Sequence, residues 1–319
     1  MRNALKTVAI DRRTFYAATL LVVCGTLWGA TPMLSKLAGG LDAHPVGLSV
    51  LVNAMGAVSC IALCWWRGIL RLPTRSELYF FFCWAFLYAV LNQVLIYWLS
   101  ARLDAALVSV FTVLEGLVIF AAAAILRIEK PSVTRCCGLL VGLLGVLFLL
   151  FSFGRSETAI PSLFILVGLV IPVSYAAESL YIAARRPVSV HPLLAVALVM
   201  GCSLPYLLVL AALSDDFMPL QFPPGRVELL AFAIMVTTLI ANLAFFVLIS
   251  IAGSVFAGQI SYFNAIAGIG WGVVVLGEKM PWSMLLSVAF IMMGLLLVRP
   301  KPSNEDVPAV RGAQPWPAE

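Results

Sequence analysis

The hydrophobic positions of this chain form long runs that are separated by short polar segments. A helix needs about 20 apolar residues to cross roughly 30 Å of hydrocarbon, and ten runs approach or reach that length. Because the runs are solid and do not alternate with polar positions, they predict membrane-spanning helices and not the strands of a barrel. The predicted spans cover residues 15–37, 45–66, 77–99, 104–126, 132–151, 160–184, 192–213, 227–251, 254–277 and 281–298.

The composition supports this pattern. Hydrophobic residues make up 62% of the 319 positions and charged residues only 11%, whereas a soluble domain carries about 25% charged residues. The sequence therefore predicts an all-α integral membrane protein with ten transmembrane helices. Residues 1–14 form a basic segment before the first span, and residues 300–319 form a tail, rich in proline and charge, that is predicted to be disordered.

The distribution of positive charge predicts the orientation. With the N-terminus in the cytoplasm, 15 of the 20 Lys and Arg residues fall on the cytoplasmic side, as the positive-inside rule requires. We therefore expect a multi-pass protein of the cell inner membrane with both termini in the cytoplasm. Because this bias accounts for the net charge of +5, the charge does not indicate a nucleic-acid partner.

Neither a metal site, a cofactor nor an enzyme active site is predicted. All seven cysteines lie inside apolar runs and the chain has only two histidines, so we interpret the thiols as small packing residues. The sequence contains no HExxH motif, P-loop or G-x-S-x-G motif, and we therefore expect a protein that is not an enzyme.

A short motif occurs in both halves, and its Glu-Lys pair, at 129–130 and 278–279, recurs after 149 residues. LRIEKP at residues 126–131 is echoed by LGEKMP at residues 276–281, and each copy lies between two apolar spans. Since five spans in each half is an odd number, the second half must be inverted across the bilayer. Inverted repeats are common in secondary transporters, which bind substrate near the midplane between the repeats. We predict two inverted five-helix repeats, residues 15–151 and 152–299, and the same spacing pairs Glu115 with Asn264.

Two features of the sequence resemble a known family. GTLWGATPMLSK in the first span is similar to the opening motif of the drug/metabolite transporter superfamily, EamA branch, and the repeated Glu-Lys motifs with glycine-rich spans after them resemble its closing motif. The resemblance covers about residues 15–298. It implies a ten-helix carrier in two inverted halves, of a kind that mostly exports amino acids, metabolites or drugs. Members often show Glu-Pro in the fourth and ninth spans, whereas this chain has Glu115-Gly116 and Asn264-Ala265.

Two acidic side chains fall inside predicted spans. An ionisable group in a membrane span is energetically costly and by default indicates function. Glu115 lies at the centre of the fourth span, and Ser109 and Thr112 share its helical face. We interpret Glu115 as a substrate and proton site, and the alternative is a protonated carboxyl that joins two helices. The same two interpretations apply to Glu178, which lies nearer the cytoplasmic end of the sixth span.

Amide and aromatic side chains complete the candidate site. The intramembrane amides together would suit a polar cavity, although each alone is more typical of helix packing than of ligand binding. Trp28 belongs to the Trp-Gly motif of the resemblance, and Tyr262 lies two residues before Asn264. The predicted substrate-binding residues are Trp28, Asn92, Gln93, Glu115, Glu178, Asn242, Gln259, Tyr262 and Asn264, with Glu115 as the proton-coupling group.

Prolines, glycines and the repeated acids have predicted structural roles. Pro32 and Pro172 fall in equivalent spans and predict paired helix interruptions at a site or hinge. Glycines four residues apart, at 138 and 142 and at 268 and 272, predict close helix contacts. Glu129 and Glu278 are expected to cap the helix that follows each of them.

Together these features predict a secondary transporter that exports a small organic solute by alternating access, with proton coupling. The sequence has no ATP-binding motif, so the energy is expected to come from a gradient or a partner protein. The alternative is a translocase of a lipid or lipid-linked substrate with the same fold, because the fold does not select the cargo. The expected partners are a small-molecule substrate and the lipid bilayer, and the oligomeric state stays open.

Overall fold

A computed structural model describes residues 12–125, several positions between 133 and 148, and residues 162–187, 189–218, 223–257, 259–279 and 282–297. These residues form helices and no strands. The first half contains α1 Arg12–Gly39, α2 Pro45–Trp66, α3 Arg75–Ala85, α4 Leu95–Ser100, α5 Ala105–Val113 and α6 Glu115–Ile125. A π-helical stretch, Phe86–Val94, joins α3 to α4. The second half contains α7 Ser162–Arg185, α8 Pro192–Ser214, α9 Arg226–Ala257, α10 Ile260–Leu276 and α11 Trp282–Leu297.

The all-helical membrane fold is confirmed. Within the described residues, six helices are long and apolar enough to cross a membrane, and shorter apolar helices accompany them. Predicted span 45–66 coincides with α2, whereas α9 extends to Ala257, several residues beyond the predicted boundary. Some predictions lie outside the described residues, namely most of the fifth span, Glu129, Lys130, Cys136, residues 1–11 and the tail 300–319.

Local signals explain where several helices begin and end. α2 and α8 each start with a proline, whose missing N–H has no helical partner at that position. α3 starts with a capping box, because Thr74 Oγ1 accepts a bond from Glu77 N at 3.3 Å while Glu77 Oε2 accepts one from Thr74 N at 2.8 Å. α10 ends at Gly277, which has a left-handed φ of 66°, as is common at helix C-termini.

The packing between helices follows the inverted repeat. α1 packs against α9 and α10 of the second half, while its counterpart α7 packs against the π-helical stretch, α5 and α6 of the first half. α2 and α8 pair with each other, as do α5 and α10. Each contact therefore has a counterpart in which the two halves exchange roles, and the main packing surfaces lie between the halves.

Glycine allows the closest of these contacts. A Cβ added to Gly268 of α10 would lie 1.9 Å from Ser109 Oγ and 2.5 Å from Ser109 Cβ of α5, and one added to Gly29 of α1 would lie 2.7 Å from Asn264 O. A Cβ on Gly294 of α11 would meet Gly142 N at 2.5 Å. These distances confirm the predicted close helix contacts at the spaced glycines.

The helix interruptions lie elsewhere than predicted. α1 and α7 continue through Pro32 and Pro172, since a long packed membrane helix tolerates the loss of one backbone hydrogen bond. The fourth span is instead interrupted at Leu114, whose N–H bonds to Phe111 O three residues back at 3.2 Å. Glu115 is therefore the first residue of α6 and not the middle of one continuous helix.

The close packing of α5 on α10 yields a stability prediction. Gly268→Ala should lower the midpoint of thermal unfolding of the purified protein, because overpacking typically costs about 1–3 kcal/mol. Gly270 provides the matched control, since it lies on the same helix and no heavy atom lies within 4 Å of its added Cβ. Gly270→Ala should preserve or raise the midpoint, and equal midpoints for the two variants would contradict the close contact.

Candidate functional site

A small cavity lies between the two halves. Its volume is about 30 Å³, enough for a water molecule or two, since one water needs roughly 10–15 Å³. Helices of both halves form its wall, which consists of Trp28, Thr31, Pro32, Tyr88, Asn92, Gln93, Ile96, Tyr97, Thr112, Tyr175, Glu178, Thr238 and Asn264.

Glu178 is the acidic residue of this wall. Its side chain projects from α7 and the residue is 4% exposed. Oε1 accepts a hydrogen bond from Trp84 Nε1 at 2.7 Å, and Oε2 accepts one from Asn92 Nδ2. Asn92 Oδ1 in turn accepts a bond from Ser174 Oγ of α7. Because both donors to the carboxyl come from the third span, these bonds tie α7 of the second half to the first half.

Glu115 makes a second bond between the halves. Its Oε1 accepts a hydrogen bond from Ser179 Oγ of α7 at 2.8 Å. Ser179 directly follows Glu178, so the two acidic residues interact with neighbouring positions of the same helix. Glu115 itself is half-buried and is not part of the cavity wall. It therefore contacts α7 one residue away from a side chain of the cavity wall.

Several of the intramembrane amides are hydrogen-bonded to other side chains. Asn53 Nδ2 donates to Gln93 Oε1, and Gln93 Nε2 donates to Tyr97 OH at 3.0 Å. Asn242 Nδ2 donates to Tyr88 OH at 3.2 Å.

Two polar atoms of the cavity wall have no such partner. Among the described residues, the buried Thr31 Oγ1 and Asn264 Oδ1 meet no hydrogen-bond partner. A buried polar group without a partner carries a free-energy cost of about 1–3 kcal/mol. A donor from a bound solute or from a water molecule would remove that cost.

The cavity wall contains more aromatic rings than we predicted. Tyr88, Tyr97 and Tyr175 line it in addition to Trp28, and the ring of Trp28 lies 5.0 Å from that of Phe245. The tyrosines fall inside spans and away from the interfacial positions where this residue usually collects. The sequence signal for these wall residues was their location inside spans. A second signal was the four-residue spacing of Tyr88 from Asn92 and of Gln93 from Tyr97, which places each tyrosine on the same helical face as an amide.

The structure brings some of the predicted residues together and separates others. Five predicted residues line the cavity: Trp28, Asn92, Gln93, Glu178 and Asn264. Four others, Glu115, Asn242, Gln259 and Tyr262, do not. Gln259 occupies the N-cap position of α10 without a side-chain capping bond, and Asn242 donates to Tyr88 OH. Thr31 and Thr238, which the sequence analysis missed, are also part of the wall.

A charged cluster joins the two halves at the end of the protein opposite the N-terminus, which we call the outer end. Glu278 accepts bonds from Lys36 Nζ at 2.7 Å, Ala105 N at 2.8 Å and Ala106 N at 3.0 Å, and Lys36 also bonds to Asp104 at 3.0 Å. Glu278 therefore caps α5 of the other half and not the following helix α11, which corrects our prediction. The exposed N–H groups of a helix start attract a carboxylate from wherever the tertiary fold supplies one.

Comparisons with known proteins agree with this architecture. A family model described as the EamA-like transporter family matches residues 15–151 and 162–299, one match in each half. No curated protein matches the chain. A solved structure described only as a crystal structure of a protein superposes with a TM-score of 0.53 at 20% identity, over 90% of this chain and 96% of that one. At that identity the likeness shows a shared fold.

Asn92, which is hydrogen-bonded through both side-chain atoms, and Asn264, whose Oδ1 has no described partner, should respond differently to mutation. Asn92→Ala removes a donor to Glu178 and an acceptor for Ser174, so we expect the free energy of unfolding to fall by about 1–3 kcal/mol. Asn264→Ala should cost less, because its Oδ1 has no donor among the described residues. Thermal unfolding of both variants in detergent measures the difference. A larger loss for Asn264→Ala would contradict the assignment of Asn92 as a structural bridge.

Proposed function

Because the chain belongs to the EamA-like transporter family, we propose that it exports a small organic solute that carries a cationic group, such as an amine, through the cavity between its halves. The family consists of membrane transporters of small solutes and not of enzymes. Export is the direction that the resemblance in the sequence favours. The cationic group follows from the chemistry of the cavity wall.

The charge of the cavity wall is the observation that carries this proposal. Glu178 supplies a carboxyl, and the lining residues that the structure describes include no Lys or Arg. Four aromatic rings, those of Trp28, Tyr88, Tyr97 and Tyr175, surround the same space. A carboxylate attracts a cation directly, and the face of an aromatic ring attracts it through its quadrupole. An anionic solute would meet repulsion from Glu178 and no compensating positive charge.

Transport requires the cavity to change size. A pocket that holds a drug-sized ligand measures roughly 300–1,000 Å³, whereas this cavity measures about 30 Å³. The halves must therefore separate around the bound solute, as in alternating access by two repeats. The inter-half bonds of Glu178, Glu115 and Glu278 supply contacts that such a movement would break and remake.

Glu115 is the proposed proton-coupling group. A carboxyl can hold either a proton or a cationic amine, so competition between them gives antiport without a second ion pathway. Glu115 is half-buried beside the cavity and reaches α7 one residue from Glu178. Its repeat counterpart Asn264 does not titrate, and coupling would then reside in one half only.

The proposal includes a location and a division into halves. We place the protein in the cell inner membrane with both termini in the cytoplasm, because 15 of 20 Lys and Arg residues then lie on the cytoplasmic side. The two repeats are assigned to residues 15–151 and 152–299, in accord with one family match in each.

The two acidic residues give separable predictions in proteoliposomes. Glu178→Gln should weaken the apparent affinity for a cationic solute about tenfold or more, since hydrogen bonds to charged groups contribute about 1.5–3 kcal/mol.

Glu115→Gln should still bind the solute but lose the dependence of flux on an imposed pH gradient. The measurement is flux of a radiolabelled amine at two pH gradients. If Glu115→Gln responds to the gradient as the parent protein does, Glu115 is a packing residue.

The outer cluster gives a prediction about gating. Glu278→Gln removes the charge that holds Lys36 and caps α5, so the amide protons of Ala105 and Ala106 should exchange faster with solvent. Lys279→Ala is the matched control, because it removes a charge from the neighbouring exposed position. Hydrogen-exchange mass spectrometry of the α5 peptide compares the two variants. Equal protection in Glu278→Gln and Lys279→Ala would show that the cluster does not hold the outer end closed.

A further inference from the structure

A second, larger cleft opens at the end of the protein that carries the N-terminus. Its volume is about 620 Å³, which falls within the range of small-molecule sites. It shares no lining residue with the cavity between the halves. The wall consists of Tyr16, Leu63, Arg67, His191, Pro192, Leu193, Leu239, Leu243, Val247 and Ile251.

One side of the cleft is an apolar stripe on α9. Its residues follow one another at intervals of four, at positions 239, 243, 247 and 251, so they lie along one side of the helix. From first to last the stripe measures roughly 18 Å at 1.5 Å per residue. One leaflet contributes about half of a hydrocarbon core roughly 30 Å thick. The stripe therefore has the length of an acyl chain in one leaflet.

The other end of the cleft is basic. Arg67 follows α2, and His191 is the cap of α8. No ion pair between described residues involves Arg67, whereas Arg71 pairs with Glu77 at 2.6 Å. Arg67 therefore presents a positive charge to the cleft without a carboxylate partner in the described part of the chain.

His191 lies beside Arg67 at this end of the cleft. Burial, and then the nearby Arg67 guanidinium, lower the pKa of His191, so the ring is neutral at pH 7. Its Nδ1 accepts a bond from Leu193 N at 3.2 Å, which leaves the proton of the neutral ring on Nε2. Arg67 is therefore the charged group at this end of the cleft, and a guanidinium beside an apolar cleft matches a phosphate diester.

The depth of Arg67 agrees with such a ligand. Trp65 and Trp66 directly precede it and are 76% and 77% exposed. Tryptophan collects at the level of lipid headgroups, so Arg67 lies where a phospholipid phosphate lies. The α9 stripe extends from there toward the midplane.

We propose that this cleft binds one anionic phospholipid from the leaflet on the N-terminal side. The phosphate contacts Arg67, and one acyl chain lies along the α9 stripe. A lipid with net negative charge is preferred because the headgroup of a zwitterionic lipid carries its own cation. The bound lipid would contact α2 of the first half and both α8 and α9 of the second, and it would stabilise their packing.

Native mass spectrometry of the full chain, purified with phosphatidylglycerol or with phosphatidylcholine, tests this site. The parent protein should retain one phosphatidylglycerol in preference to phosphatidylcholine. Arg67→Ala should weaken retention about fivefold, since one basic residue near an anionic surface contributes about 1 kcal/mol. Arg75→Ala removes an equal charge from the exposed first residue of α3, which does not line the cleft, and it should retain the lipid.

A second variant tests the apolar wall. Leu63 is 40% exposed, so Leu63→Trp should fold and should fill the cleft, which would expel the lipid while Arg67 remains. Soluble glycerol phosphate should not displace the lipid, because it lacks the acyl chain. Equal losses in Arg67→Ala and Arg75→Ala, undiminished retention in Leu63→Trp, or displacement by glycerol phosphate would each overturn the proposal.

Discussion

The hydrocarbon core of a bilayer cannot form hydrogen bonds, and this constraint determines where the polar side chains of the protein lie. Each polar group inside a span must find a partner in the protein or face a cavity. Glu178 meets Trp84 and Asn92, and Glu115 meets Ser179. Since these partners lie on helices of the opposite half, the same bonds that satisfy the acids also hold the halves together.

The inverted repeat places these bonds between two surfaces that are related by exchange of the halves. Exchanging the halves maps the packing of α1 on α9 and α10 onto the packing of α7 on the third and fourth spans. Two surfaces related in this way can rock around a central site and open to each side in turn. The cluster around Glu278 joins the halves at the outer end, where a carboxylate of one half caps a helix of the other.

Much of this architecture could be predicted from the sequence, because hydrophobic length and glycine spacing depend on local chain properties. The ends of α2 and the close contact at Gly268 are examples. The π-helical stretch, the interruption at Leu114 and the partner of Glu278 could not be predicted, since each depends on tertiary neighbours. The cavity wall was predicted in part: Glu178 has a costly charge that signals function, whereas the intramembrane tyrosines resemble ordinary packing residues.

We propose that a cationic solute crosses the membrane through the cavity between the halves. Proteoliposomes of the purified protein, assayed in parallel for uptake of a radiolabelled amine and for movement of labelled phospholipid between leaflets, test it most directly. If a cationic solute crosses through the cavity, amine flux should saturate with concentration, and lipid should move between leaflets no faster than in protein-free liposomes. Rapid lipid movement without saturable amine flux would contradict it and would assign the fold to a lipid translocase.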